Sequence, residues 1–228
     1  SADCPMSEIE ITGELQSASY VDLTVEELAK SGIELYGYNH YIPCGQSYKR
    51  RSGYNVEGDY SQAAFFLVAR ELGCKLEVTG LNPESKQGDR AIVDIIELAR
   101  QGGVEVDAAD IPDLVPPAAA LLALKAGETS LIYNAGRLRL KESDRLETIT
   151  QTLNDLGANV KICGDALLIR GVETLRGGIV SSHNDHRIAM MSAVAAIRAD
   201  SPVTVEGAEA VNKSYPDFWR DFEGGGIL

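Results

Sequence analysis

Nine residues, Arg137 to Arg145, hold four bases (Arg137, Arg139, Lys141, Arg145) and two acids (Glu142, Asp144). A Ser or Asp just ahead of a helix can cap the free backbone N–H groups of its first turn, where the positive end of the dipole favours an anion. Ser143 and Asp144 stand at such a place, so the stretch suits a phosphate or a carboxylate. A capping residue followed by a solvated charged turn would explain the same residues taken alone. What argues for chemistry is that the arrangement returns along the chain.

Those charges need elements to hold them. Val25 to Lys30 reads as a short helix stopped by Gly32, followed by Ile33 to Tyr36 of strand character. Upstream, the hydroxyls of Ser17, Ser19 and Tyr20 lie where a helix N-terminus would hold an anion, or would simply be capped. After Gly58-Asp59 comes a nearly uncharged helix, Ser61 to Leu72, buried on most sides, then a strand-like Lys75 to Val78. Lys86-Gln87-Gly88-Asp89-Arg90 precedes an amphipathic helix through Ile92, Ile95, Ile96 and Leu98. The order repeats: Asp113 caps an Ala/Leu-rich helix running to Leu124, then a strand near Ser130 to Tyr133, the charged motif, and an amphipathic helix through Leu146, Ile149, Leu153 and Leu156. A hairpin about Gly164-Asp165 follows. A third pass opens at Asn184-Asp185-His186-Arg187, with an Ala/Met-rich helix to Ile197, a strand at Val203 to Val205, and Lys213 to Phe218 before a last helix.

Spacing supports three copies. Asp59 to Asp89 is 30 positions, Asp113 to Asp144 is 31 and Asp185 to Asp217 is 32, with Lys86, Lys141 and Lys213 just before the second aspartate. Asp144 to Asp185 spans 41 positions but Asp89 to Asp113 only 24, so about 17 residues of a second hairpin are expected to be missing from the first copy. Both ends read as truncated. One buried helix, one amphipathic helix and short strands per unit predict sheets with helices turned inward in threefold pseudo-symmetry, aiming several helix N-termini at one space.

Composition narrows the class. A formal charge of −13 argues against nucleic acid, whose binding rests on a basic face, but leaves room for a few cations converging on a small anion. No apolar run reaches membrane-spanning length and no signal peptide is recognisable, so a soluble, cytoplasmic protein without membrane contact is expected. Cys4, Cys44, Cys74 and Cys163 are widely spaced, with no CxxC pair, so neither a disulfide framework nor a metal site is indicated.

Gly58-Asp59, DIPDLVP (110–116), LRLKESDRL (138–146), NDHRIAM (184–190) and NKSYPDF (212–218) together resemble the 5-enolpyruvylshikimate-3-phosphate synthase family, the 3-phosphoshikimate 1-carboxyvinyltransferases. The likeness runs in order along nearly the whole chain. It implies an inside-out α/β (α+β) barrel of repeated βαβαββ units, transferring the enolpyruvyl group of phosphoenolpyruvate to the 5-hydroxyl of shikimate 3-phosphate. By the same resemblance Asp113 is the aspartate against the shikimate hydroxyls, Glu142 the proton-transfer carboxylate, and Lys213 a lysine that binds phosphoenolpyruvate and delivers a proton. Arg145 and Arg187 would hold phosphoenolpyruvate, a task suited to a guanidinium that forks onto oxyanions and keeps its charge. Ser17, Tyr20, Asp113 and Lys141 would contact shikimate 3-phosphate. Asp59, Arg137 and His186 fall near the cleft with no assigned role. No cofactor is implied.

The resemblance also carries departures. The family's chain is roughly twice as long, and a Gly-Ser-Lys-Ser loop and an Asn-x-Gly-Thr motif from its first half are not found here. Arg137 stands where some members have asparagine. Residues 1–56 are expected to be the last unit of the family's other globular domain, and 57–228 most of the second domain, in three units with the first and last shortened. Such a chain would need the missing N-terminal half to complete its site; the full-length family is expected to be monomeric. Two alternatives stand beside this reading: a UDP-N-acetylglucosamine enolpyruvyl transferase, although no cysteine here sits in the loop that relative uses, and a non-catalytic anion-binding module of the same fold.

Overall fold

The computed structural model describes residues 6–13, 15, 17–37, 40–49 and 52–224, so Cys4 lies outside the described residues. Three helices form the centre: α2 (Tyr60–Glu71), α4 (Val115–Ala123) and α6 (His186–Ala196). Every residue of α4 is buried, as are His186 to Ala195 of α6. Neither helix has an exposed polar face, so each needs cover on all sides, and their many alanines let the axes approach. They pack against one another in all three pairings. Outside them lie α3 (Ile92–Ala99), α5 (Arg145–Asp155) and α7 (Phe218–Gly224), each turning apolar residues inward, such as Ile92, Ile95 and Ile96 of α3. On α7, Phe218 and Phe222 meet Phe66 of α2 edge-on.

The sheets sit on the outside of the helical centre. Strands β3 (Glu105–Asp107) and β4 (Thr129–Tyr133) run parallel, and hairpin β5 (Asn159–Cys163) and β6 (Ala166–Arg170) adds to the far edge of β4, giving the order β3-β4-β6-β5. Strands β7 (Gly178–Ser181) and β8 (Val203–Glu206) form a second parallel pair. Each pair closes with one bond just past its leading strand, Ala108 N–H to the Tyr133 carbonyl (2.9 Å) and Ser182 N–H to the Glu206 carbonyl (2.8 Å). The first copy keeps only the counterpart, Gly58 N–H to the Gly80 carbonyl at 3.1 Å.

Here the structure corrects the sequence. Residues 75–78 form no strand. Residues 53–57, which lead into the Gly58–Gly80 bond, expose Tyr54 and Val56, whereas β3 and β7 each bury a valine, Val106 and Val180. Without a buried row or the hairpin on its other edge, the pair has too little packing to hold a ladder. Likewise Ile33 to Tyr36 contributes only an isolated bridge, Tyr36 to Tyr41. The N-terminal part otherwise consists of β1 (Ser7–Glu8), antiparallel to β2 (Tyr41–Ile42), and α1 (Ala18–Lys30), which has no buried residue.

The capping expectation holds for Asp144 and fails for Asp113, and Asp59 and Asp185 prove to be caps as well. Asp59 accepts from Ser61 and Gln62 N–H, Asp144 from Glu147 N–H, and Asp185 from Arg187 N–H. Asp113 caps nothing: it lies inside a 3₁₀ turn, Pro112–Leu114, and α4 begins behind Leu114 with no side-chain cap. Its carboxylate is therefore free for other partners.

Candidate active site

The N-termini of α2, α4 and α6 meet at Arg187. This side chain, in the first turn of α6, donates from Nη2 to Ser61 Oγ of α2 (2.7 Å) and from Nη1 to the Asp113 carbonyl before α4 (3.3 Å). Its Nη2 also stands 3.3 Å from Asp113 Oδ2. Three positive dipole ends and a guanidinium thus share one place.

From Asp113 an unbroken chain of ion pairs continues. Lys141 Nζ lies 3.2 Å from Asp113 Oδ1, and Arg145 Nη1 donates to the same oxygen at 2.9 Å. Arg145 Nη2 reaches Glu142 Oε2 at 2.6 Å, and Lys213 Nζ reaches Glu142 Oε1 at 2.6 Å. Lys213 ends a 3₁₀ helix, Ala208–Lys213, whose position is fixed by Trp219 Nε1 donating to the Ala208 carbonyl (2.9 Å). Asp113, Glu142, Arg145, Arg187 and Lys213, spread over a hundred positions of sequence, are therefore joined side chain to side chain.

Arg145 is the hub and is 1% exposed. Its Nε and Nη2 donate to Asp185 Oδ2 (2.8 Å) and Oδ1 (3.2 Å), so three carboxylates engage it at once. To hold an anion directly it has to release Glu142 or Asp113. Asp185, fully buried, is marked in the sequence only by its place in the repeat; it also accepts from Ser143 Oγ at 3.0 Å. Two left-handed residues, His183 (φ 51°) and Asn184 (φ 56°), swing it into place, and such backbone strain at non-glycine residues gathers at functional sites.

Four cations, Lys141, Arg145, Arg187 and Lys213, converge on Asp113, Glu142 and Asp185 in a chain whose total is −13, and buried Asp89, within reach of Arg187, brings the local charge to balance. Burial pushes the Asp113 carboxyl up, but Arg187, Lys141 and Arg145 outweigh it and hold it below the ordinary value. Glu142 is likewise raised by burial, yet Lys213, its own backbone N–H and Arg145 bring it down to about 2. His186 is lowered by burial and then by Arg187, which disfavours its charged form, and its buried Nδ1 has no hydrogen-bond partner among the described residues.

The remaining expected residues flank this network. Tyr20 lies on α1 and Ser17 just before it: the Tyr20 hydroxyl donates to Asp89 Oδ2 (2.6 Å), and Ser17 Oγ accepts from Arg137 Nη1 (2.9 Å) across 120 positions of sequence. Asp59 caps α2 and makes none of the network's ion pairs. A cleft of about 650 Å³ brings Tyr20, Ser61, Asp113 and Arg187 to one wall together with Glu57 and Lys86. A larger one, about 880 Å³, between α2 and residues 214–224, contains none of Asp113, Glu142, Arg145 or Arg187. Of the described cysteines, Cys44 and Cys163 are exposed and Cys74 is half-buried. No group of three or more His, Cys, Asp or Glu among the described residues could hold a metal, and no helix there is long and apolar enough to cross a membrane.

The family model described as EPSP synthase (3-phosphoshikimate 1-carboxyvinyltransferase) matches residues 4–222. A 3-phosphoshikimate 1-carboxyvinyltransferase of Clostridium novyi (strain NT) is 44% identical over 97% of this chain and 55% of its own length. Its namesake in Clostridium kluyveri is 45% identical over 95% and 55%. The solved EPSP synthase from Acinetobacter baumannii, at 22% identity, superimposes with a TM-score of 0.76 over 96% of this chain and 56% of that one, which supports the inside-out α/β fold. The chain spans about half the length of the curated relatives it matches. It belongs to the EPSP synthase family.

Proposed function

We propose that this chain carries one side of an enolpyruvyl transferase site that joins phosphoenolpyruvate to the 5-hydroxyl of shikimate 3-phosphate. The observation that carries the reading is the continuous run Lys213–Glu142–Arg145–Asp113–Arg187, with Lys141 on Asp113. In this reaction the acceptor oxygen bonds to C2 of phosphoenolpyruvate while C3 takes a proton. The C–O bond to phosphate then breaks and C3 gives the proton up. Arg187, Lys141 and Lys213 would grip the anions. Asp113, relieved of cations as these turn to substrate oxyanions, gains basicity when the hydroxyl needs it. Glu142, with its carboxyl near 2, is ionised at neutral pH, so Lys213 brings the proton and Glu142 passes it on and takes it back. Arg145 fixes Asp113 and Glu142 relative to each other.

Residues 1–56 would then belong to the family's other globular domain and 57–228 to three units of this one, with the rest of the relatives' length closing the site. The chain alone is expected to turn over little, since half a cleft neither orients nor dries its reactants. A cytoplasmic, monomeric complete enzyme without cofactor fits the same reading. The test is phosphate release from the two substrates, with this chain mixed with the segment that precedes the matched region in a Clostridium relative. Shikimate-3-phosphate-dependent release that Asp113→Ala abolishes is expected. No release from the supplemented mixture would overturn the proposal.

A further inference from the structure

Asp89 belongs to a charged stretch, Lys86 to Arg90, to which the proposed reaction gives no role. It is 1% exposed, in a 3₁₀ turn that leads into α3. One oxygen, Oδ2, accepts the Tyr20 hydroxyl at 2.6 Å; the other, Oδ1, is buried without a hydrogen-bond partner among the described residues. Ser61 stands beside this carboxylate, and because its oxygen accepts from Arg187 Nη2 its hydroxyl proton is left to turn toward Asp89. A carboxylate this dry is costly unless it holds something in place.

What it holds is the phenol. With its proton committed to Asp89, Tyr20 can offer only oxygen lone pairs, on the wall shared with Asp113 and Arg187. Resting on the function proposed above, we infer that Asp89 is a positioning residue: it fixes Tyr20 as a hydrogen-bond acceptor for a hydroxyl of the polyol-phosphate substrate, leaving the phosphoenolpyruvate side to the arginines. The bond also joins α1 to the repeat body, with Ala18 N–H on Asp110 Oδ1 (3.1 Å) and Lys86 on Glu26 (2.7 Å) as neighbours. Asp89 thus couples the seating of α1 to acceptor recognition.

The experiment follows tyrosine ring carbons, 13C-labelled at Cζ, in the full chain, with Tyr20→Phe assigning the signal. Asp89→Asn is expected to move the Tyr20 signal and leave those of Tyr60 and Tyr133 in place. An unmoved Tyr20 signal overturns the inference. Titrating shikimate 3-phosphate should shift Tyr20 in the unaltered chain, and Asp89→Asn should weaken that ligand about tenfold, the worth of one hydrogen bond, while phosphoenolpyruvate binding changes less than about twofold. Equal loss for both ligands, or loss for neither, means a merely structural contact and overturns the inference. Failure of the underlying function would look different: no response to either substrate by the unaltered chain, which sinks both.

Discussion

Asp185 shows how much one buried acid can organise. It caps α6, takes two bonds from Arg145 and one from Ser143, and so ties the third helix to the charged motif of the second copy. Truncating it leaves a buried guanidinium short of its anchor, so Asp185→Ala is expected to destabilise the fold by about 3–5 kcal/mol in urea titration. Asp185→Asn, which keeps the cap, should cost clearly less; equal losses would mean that the charge is immaterial. Glu142 sets a pH dependence. Its folded value lies below the ordinary carboxylate range, so its stabilisation is present above about pH 4.3 and fades as pH falls toward about 2. Melting curves of Glu142→Gln should therefore lose part of the decline that the unaltered chain shows across that window, and superimposable declines would contradict the pairing with Lys213 and Arg145.

At the scale of elements, the molecule divides into a tightly packed helical centre and a loosely seated α1. Helices α4 and α6 are buried almost residue for residue, whereas α1 buries none and is held by Ala18 on Asp110, Tyr20 on Asp89, Ser17 on Arg137 and Glu26 on Lys86. All but the Tyr20 bond are exposed polar contacts, which weaken with salt and open locally. Amide hydrogen exchange should be faster in α1 than in α4 or α6 by several orders of magnitude, and faster still in high salt; equal protection would contradict this division. The strand edges make a second prediction. A Cβ on Gly171 would stand 1.8 Å from the Lys125 carbonyl oxygen, where the chain leaving β6 crosses the end of α4. Gly171→Ala is expected to cost about 1–3 kcal/mol, checked by urea unfolding, because backbone on both sides has no room to yield.

Across the whole molecule, much was legible in the sequence because repetition converts weak local signals into a pattern. The buried helices announced themselves by small apolar residues on every side, and Asp113, Glu142, Arg145, Arg187 and Lys213 by the motifs that resemble the family. What escaped was whatever depends on partners distant in sequence. Residues 75–78 have strand composition but no packed neighbour to pair with, so their propensity came to nothing. Asp113 reads as a cap and turns out to face three cations, because a 3₁₀ turn intervenes before α4. Asp89 and Asp185 enter the sequence only as spacing marks of the repeat, and burial and their partners, Tyr20 and Arg145, mark them out. The measurement that bears most directly on the account is calorimetric titration of phosphoenolpyruvate and shikimate 3-phosphate into this chain, beside Arg187→Gln and Lys213→Gln, at low salt. Binding that each substitution weakens by about tenfold or more is the expected result, given the strength of charge-assisted contacts to an oxyanion. Heat that ignores both substitutions, or none for either ligand, would contradict the claim that these scattered cations and carboxylates form one anion site.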